Sequence, residues 1–352
     1  MVDQTFNLIK LNFKKVMTLK NKIIFISWTS YHSHTQLLGK AFGADIFYLD
    51  HLINSRKILW KLFFLLDYFY KSFRSLLIIL QNRPSIVVIQ NPPSIAPVVI
   101  VSFSLIIKFK TVLDSHNGAF EKPWVNLPFH RWALKHSDIV IVHNNQVFKE
   151  LIGNKNFKNI NLKKLGSKPS EFDSVKIESQ NTPYFLVIAT FHGDEPMEIL
   201  LKGIRECNKN NTSSIKFKVT GNYNKNLYLY NEFSKDKNIE FLGFISQNEY
   251  NKLLINAYGS ISLSTRENVQ QFAVIESISA GVPFISSNNL TNRDLFGNKA
   301  ILSENVPEAI AESIALFIKE RDRLVGNVRV IKKVLIEKWE SDFNVIKKEL
   351  GI

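Results

Sequence analysis

Short, uninterrupted apolar runs separated by helix-length segments limit most strongly how this chain folds. One series occupies 22–28, 46–49, 85–90, 111–114 and 138–142, and a second occupies 184–189, 215–219, 239–242, 261–263 and 284–287. A strand that is apolar on both sides needs cover on both faces, which a parallel sheet between helices supplies and a half-solvated antiparallel sheet does not. A helix is expected from about Thr35 to Phe42, and a long helical stretch over 309–350 is expected to break near Gly326. The polar stretch 167–181 falls between the two series and reads as a linker. The fold class is therefore α/β, with two Rossmann-like, doubly wound domains facing across a crevice. They are placed at 1–170 and 182–338, and 339–352 is expected to pack back towards the first domain as a helix. Sheets of this kind bind ligands outside the carboxyl ends of their strands.

The net charge of +14 is unevenly placed. Residues 1–170 carry 23 Lys+Arg against 8 Asp+Glu, whereas the remainder holds 22 against 23, so the whole excess lies in the first half. Such a half either faces an anion (a membrane leaflet, a lipid-linked phosphate or a nucleic acid) or simply keeps the protein soluble. A single cysteine, Cys207, excludes a disulfide framework and a multi-thiol metal site, and fits a reducing compartment. The longest apolar run, 98–107, is half of the ~20 residues that cross a bilayer. Lys10, Lys14, Lys15 and Lys20 interrupt the first 20 residues, which argues against a secretory signal. The segment 57–80 mixes Trp60, Phe63, Phe64, Tyr68, Phe69 and Phe73 with Lys57, Lys61, Lys71 and Arg74. It suits either an interfacial helix or a core helix with a basic wet face, and contact with an anionic membrane is the expectation taken forward.

The richest motif spans 264–283. Glu267 stands at a strand-to-helix corner, Glu276 stands about two turns into the following helix, and Gly281 and Pro283 end it. Ala273 and Ala280 share the helix face of Glu276, which points the carboxylate into a recess. In the first half, the loops 28–34, 90–94 and 114–120 emerge at one sheet edge and form a polar rim that includes His32, His34 and His116. His32 and His34 lack helical metal-site spacing and have no carboxylate close in sequence, so no metal is expected there. In the second half, Pro196 can start a helix whose preceding amides would receive a diphosphate, with Asp194 and Glu195 as the alternative occupants of that helix end. The turn Thr220-Gly221-Asn222, followed by Lys225, lies in register beside it.

Together these pieces resemble the sugar-nucleotide glycosyltransferases of GT-B fold, the two-glutamate, family 4-like enzymes that build bacterial cell-surface polysaccharides. Echoes of the eukaryotic mannosyltransferases that act on lipid-linked sugars are also present. The resemblance covers nearly the whole chain. It implies an enzyme that moves a sugar from a UDP- or GDP-linked donor to a lipid-linked or oligosaccharide acceptor, cytoplasmic and peripheral on the inner face of the membrane. It further implies that Glu276 holds the donor ribose, that Glu267 lies near the transferred sugar and that His116 contacts that sugar. Thr190, His192, Gly221, Lys225, Arg266 and Asn268 complete the expected donor site. Two departures stand out. Eight residues separate Glu267 from Glu276 where the family has seven, and the Arg and Lys that neutralise the diphosphate in the family are absent from 192–195. Arg266, Lys225, His192 or the amides at 268–270 must then supply that charge. No Asp-x-Asp pair occurs, so neither a cofactor nor a divalent ion is expected. The alternative is a non-catalytic nucleotide or sugar binder of the same fold. A glycosidase-like carboxylate pair is the rival reading of the two glutamates. Scattered basic residues without a recognised motif argue against nucleic acid.

Overall fold

The computed structural model describes residues 22–51, 60–170, 182–210 and 215–352. The chain divides into two compact units, the first comprising Met1–His143, Glu150–Lys164 and Asn344–Ile352 and the second Asn144–Lys149 and Leu165–Phe343. The first 20 residues, Lys57 and residues 171–181 of the expected linker lie outside the described residues, as does the side chain of Lys61.

In the first unit, strands β1 (Ile23–Ser27), β2 (Asp45–Tyr48), β3 (Ile86–Asn91), β4 (Lys110–Ser115), β5 (Ile139–Val142) and β6 (Leu162–Lys164) form one parallel sheet in the order 2-1-3-4-5-6. Helices α1 (Ser33–Phe42), α2 (Trp60–Asn82), α3 (Ile95–Ile107) and α4 (His130–His136) lie between these strands in sequence, and α5 (Asn145–Gly153) follows β5. The central strands are buried throughout, as a sheet covered on both faces requires. The strand order reverses between β1 and β3, so the loops that leave β1, β3 and β4 meet at one carboxyl edge.

The second unit repeats the plan. Strands β7 (Tyr184–Val187), β8 (Lys216–Thr220), β9 (Ile239–Gly243), β10 (Gly259–Ser262), β11 (Phe284–Ser287) and β12 (Ile301–Ser303) lie parallel in the order 12-11-10-7-8-9. Here the reversal falls between β7 and β10, which brings the loops 188–196 and 263–271 together. Between these strands run α6 (Met197–Asn210), α7 (Leu227–Phe233), α8 (Gln247–Ile255), α9 (Phe272–Ala280) and α10 (Leu290–Phe296). Cys207 is buried in the core of this unit beside Phe217 and Ile310, as a small apolar residue would be.

Three expectations need correction. The last helix, α11 (Pro307–Leu350), runs unbroken through Gly326, because a single glycine costs only ~1 kcal/mol and the apolar positions Leu324, Val328 and Ile331 pin the helix on either side. Edge strands β6 and β12 were not anticipated; each is three residues long, too short to show a pattern. Of the basic residues expected on the wet or membrane face of α2, Lys71 is not there. Lys71 is fully buried, pairs with Asp67 at 3.0 Å and donates to the Trp28 carbonyl at 3.1 Å, so it cannot meet a membrane. What α2 does expose is an apolar face of Leu65, Leu66, Phe69 and Phe73, with Arg74 beside it.

Candidate functional site

The sheet edge of the first unit gathers histidines around one buried carboxylate. Asp114, near the end of β4, is held between β3 and β5 by its pairing with Gln90 and Ile141, and its side chain is completely buried. His34 in the first turn of α1 places Nε2 3.4 Å from Asp114 Oδ1, and His143, just after β5, places Nε2 2.9 Å from the same oxygen. His116, two residues beyond Asp114, places Nε2 3.6 Å from Oδ2. The rings pack edge to face or tilted at centroid separations of 4.5–5.0 Å, and His32 stands 5.9 Å from His116. Burial pushes His34 down to about 4, against the opposing pull of Asp114. Burial would raise Asp114, but the neighbouring His34 and His143 and the close approach of the imidazoles hold its carboxyl well below the usual range. His32 is also lowered, first by burial and then by His116.

This geometry corrects the sequence reading of His32 and His34. A carboxylate does lie beside them, 80 residues away in the chain, and parallel strand pairing rather than local spacing brings it there. His143 was missed because it sits alone after an apolar strand; its place at the end of β5, next to β4, is the only signal that marks it. Trp28, expected in the polar rim, is instead a core residue whose indole N–H donates to Ser75 at 3.0 Å. The rest of the rim is hydrogen-bonded internally. Gln90 Oε1 accepts from Ser27, Thr29 and Thr35, and Asn91 accepts from Ser94 and donates to Ser115.

In the second unit the loop after β7 closes on itself. The Glu195 carboxylate accepts from the backbone N–H of Thr190 at 2.9 Å and of His192 at 3.2 Å, and from the Thr190 hydroxyl at 2.9 Å. It occupies the place that the sequence reading gave to a diphosphate, so Glu195 stands in for an anion at these amides. His192 bonds Asp194 at 2.6 Å, and the Asp194 carbonyl accepts from the Thr265 amide at 2.8 Å, which ties the two loops at the strand reversal. Gly221, at φ +98°, lets β8 approach β7 closely; a Cβ there would stand 2.1 Å from the Ala189 carbonyl oxygen. Lys225 reaches back and donates to the Thr190 carbonyl at 2.7 Å. A cavity of about 380 Å³ is lined here by Phe191, His192, Glu195, Met197, Lys225 and Thr265 among others.

Thr190, His192, Gly221 and Lys225 are thus brought together around one loop pair. The other expected residues are held next to it in the chain or beyond it. Glu276 is the fifth residue of α9, just past the first turn rather than two turns in, and its Oε2 accepts from the Tyr250 hydroxyl at 2.6 Å. Burial raises its carboxyl and the tyrosine bond opposes that rise. Glu276 does not line the cavity. The Glu267 carboxylate accepts from the Leu290 amide at 3.0 Å, at the start of α10. Asn289 anchors the backbone between the two glutamates by donating to the carbonyls of Arg266 and Val269. The Asn268 carbonyl accepts from Asn144 at 3.0 Å, and the Arg266 side chain is exposed. His116 belongs to the first unit and the remaining candidates to the second.

Comparisons with known proteins agree with this architecture. The sequence model described as "Glycosyl transferases group 1" matches residues 169–329. Curated proteins give no match. Among solved structures, HepE from Anabaena in complex with UDP and glucose superimposes with a TM-score of 0.65 at 12% identity, over 94% of this chain and 99% of that one. Sucrose-phosphate synthase from Thermosynechococcus elongatus gives 0.70 at 12% identity, and a glycosyltransferase from Rickettsia africae gives 0.65 at 13%, both with the same coverage. Residues 169–329 match the model of the group 1 glycosyl transferases, and the two parallel sheets share the fold of these solved structures, the two-domain α/β architecture of GT-B type.

Proposed function

We propose that the chain transfers a sugar from a nucleotide-sugar donor to a saccharide acceptor in the synthesis of a cell-surface polysaccharide or related glycan. The observation that carries this reading is the loop pair at the β7/β10 reversal, which lies inside the group 1 match and encloses the cavity beside Lys225 and His192. A structural neighbour is described with UDP and glucose, which favours a UDP-linked donor for this chain as well. The diphosphate is assigned to the cavity, with Lys225 and His192 as its cationic and donor groups and Arg266 and Asn268 on the adjoining loop. A bound diphosphate there would compete with the Glu195 carboxylate for the amides of Thr190 and His192. Glu276, oriented by Tyr250, is assigned to the ribose hydroxyls, and Glu267 acts from its capped position near the sugar. His116 is assigned to the transferred sugar. Donors fixed before the leaving group departs stabilise the developing charge by about 2.7–4 kcal/mol each. The step as written places no divalent ion on the diphosphate, since the sequence holds no Asp-x-Asp pair.

The acceptor is proposed to be lipid-linked and the protein peripheral on the inner face of the cell membrane. The support is the apolar face of α2 together with exposed Leu105 and Ile106 on α3, in the half of the chain that carries the positive excess. Among the described residues no helix is long and apolar enough to cross a membrane. The test is a thermal-shift panel of UDP- and GDP-sugars. A ligand at 100 times its Kd stabilises by about 2.7 kcal/mol, so one donor should raise Tm by several degrees. No shift with any nucleotide sugar at millimolar concentration, while the protein remains folded, would overturn the donor assignment.

A further inference from the structure

We infer that His34, Asp114, His116 and His143 form a binding site for one divalent transition-metal ion of the zinc type. One ligand atom from each of the four lies within 4.8 Å of all the others. Tetrahedral zinc, with nitrogen and oxygen ligands at about 2.0–2.2 Å, separates its ligand atoms by roughly 3.3 Å. The imidazole nitrogens of His143 and His34 stand 2.9 and 3.4 Å from Asp114 Oδ1, and that of His116 stands 3.6 Å from Oδ2, all near that spacing. Asp114 Oδ2 and His116 Nε2 face one another at 3.6 Å, and both are buried without a hydrogen-bond partner. Burying such groups unsatisfied is costly, and an ion between them would satisfy both at once.

The donor set points to the class of ion. Three imidazole nitrogens and one carboxylate suit zinc, cobalt or nickel, whereas magnesium and calcium call for oxygen ligands throughout. Among the described residues the ion-pair partners of Asp114 are these three histidines, with no lysine or arginine among them, so its buried charge lacks a permanent counter-charge. The site is also well supported by the fold. Asp114 sits on the central strand β4, His143 directly follows the adjoining strand β5, and His34 stands in the first turn of α1, so three ligands are held by regular elements or their ends. His116 is the most exposed of the four, with 30% of its side chain accessible. It is therefore the outermost of the four ligands.

The inference does not rest on the transfer reading, because its test uses no nucleotide sugar. The full chain, stripped with chelator, is titrated with Co²⁺ and then with Zn²⁺. The expected result is one Co²⁺ per chain with the intense visible bands of a four-coordinate ion, bleached by one equivalent of Zn²⁺. Asp114→Asn and His143→Ala should each weaken binding by more than the roughly 10–100-fold that changes behind a metal's ligands produce. His32→Ala, next to the cluster but outside the four, should bind as the wild type does. Wild-type protein that leaves Co²⁺ in its pale six-coordinate form, or binding that survives His143→Ala unchanged, would overturn the site. Should the variants not fold, the wild-type cobalt spectrum decides alone.

Discussion

The two sheets place carboxylates at equivalent edges and treat them in opposite ways. In the first unit, Asp114 is fully buried and its ion-pair partners are three imidazoles. In the second unit, Glu195, Glu267 and Glu276 lie nearer solvent, and each is held by a neutral donor: backbone amides and a threonine hydroxyl, one helix-start amide, and a tyrosine hydroxyl. The first arrangement is one centre whose parts depend on each other. The second is a set of separate latches that shape loops and can be released one at a time. Substitutions should therefore act cooperatively in the first unit and nearly independently in the second.

The largest effect is expected at Asp114. Asp114→Ala removes the acceptor shared by three imidazoles and should cost about 3 kcal/mol, read as a lower urea midpoint in the presence of chelator. A loss below about 1 kcal/mol would mean that the cluster is no more cooperative than the latches. His116→Ala should lower turnover by about 100-fold while changing the affinity for UDP less than about threefold, since the nucleotide is assigned to the second unit. Calorimetry with UDP beside initial rates separates the two outcomes. Affinity lost in parallel with turnover would remove His116 from the sugar-contact role.

Glu276 comes next, and it carries a pH signature. Its folded-state carboxyl is raised by burial, so folding favours the protonated form and burying the carboxylate costs stability above the unfolded-state value near 4.3. That cost recedes as pH falls towards that value. Glu276→Gln keeps an acceptor for Tyr250 and removes the charge, so the variant should melt higher than the wild type at pH 7, with the gap closing by about pH 4. Its affinity for the nucleotide should fall roughly tenfold, the worth of one charge-assisted hydrogen bond. A melting gap that widens on acidification would contradict the assigned shift.

What could be read in advance follows from the range of each signal. The β-strands with four or more apolar residues were legible because continuous burial on both faces leaves a contiguous mark, whereas β6 and β12 leave only three residues each. Lys71 was misread because a helix period shows that a residue faces inward or outward only when its neighbours agree, and here an internal Asp67 partner makes a buried lysine tolerable. Asp114 and His116 were visible as a motif, but the cluster was not. His34 and His143 reach it through strand order, and no local spacing encodes the adjacency of β4 and β5. The capping of the Leu290 amide by the Glu267 carboxylate leaves no local signal for the same reason, since the partners lie 23 positions apart.

The smallest effect, and the sharpest test of the latch picture, concerns Glu267. Its carboxylate accepts from the Leu290 amide, and the Glu267 carbonyl accepts from the Thr291 amide and hydroxyl, so the residue fastens the 264–271 loop to the start of α10. Loss of a cap costs about 0.5–2 kcal/mol, which is the destabilisation expected of Glu267→Ala. Glu267→Gln retains the accepting oxygen and should leave stability within about 0.5 kcal/mol of wild type, because only the charge is lost. The pair of variants therefore separates fastening from chemistry. With the cap kept, any fall in turnover in the Gln variant reports the charge near the transferred sugar, and a fall of several-fold, under about tenfold, is expected from a carboxylate that acts while still bonded to an amide. Full activity in Glu267→Gln together with reduced activity in Glu267→Ala would assign Glu267 to loop fastening alone, and would leave His116 and Glu276 as the histidine and carboxylate contributions of the site.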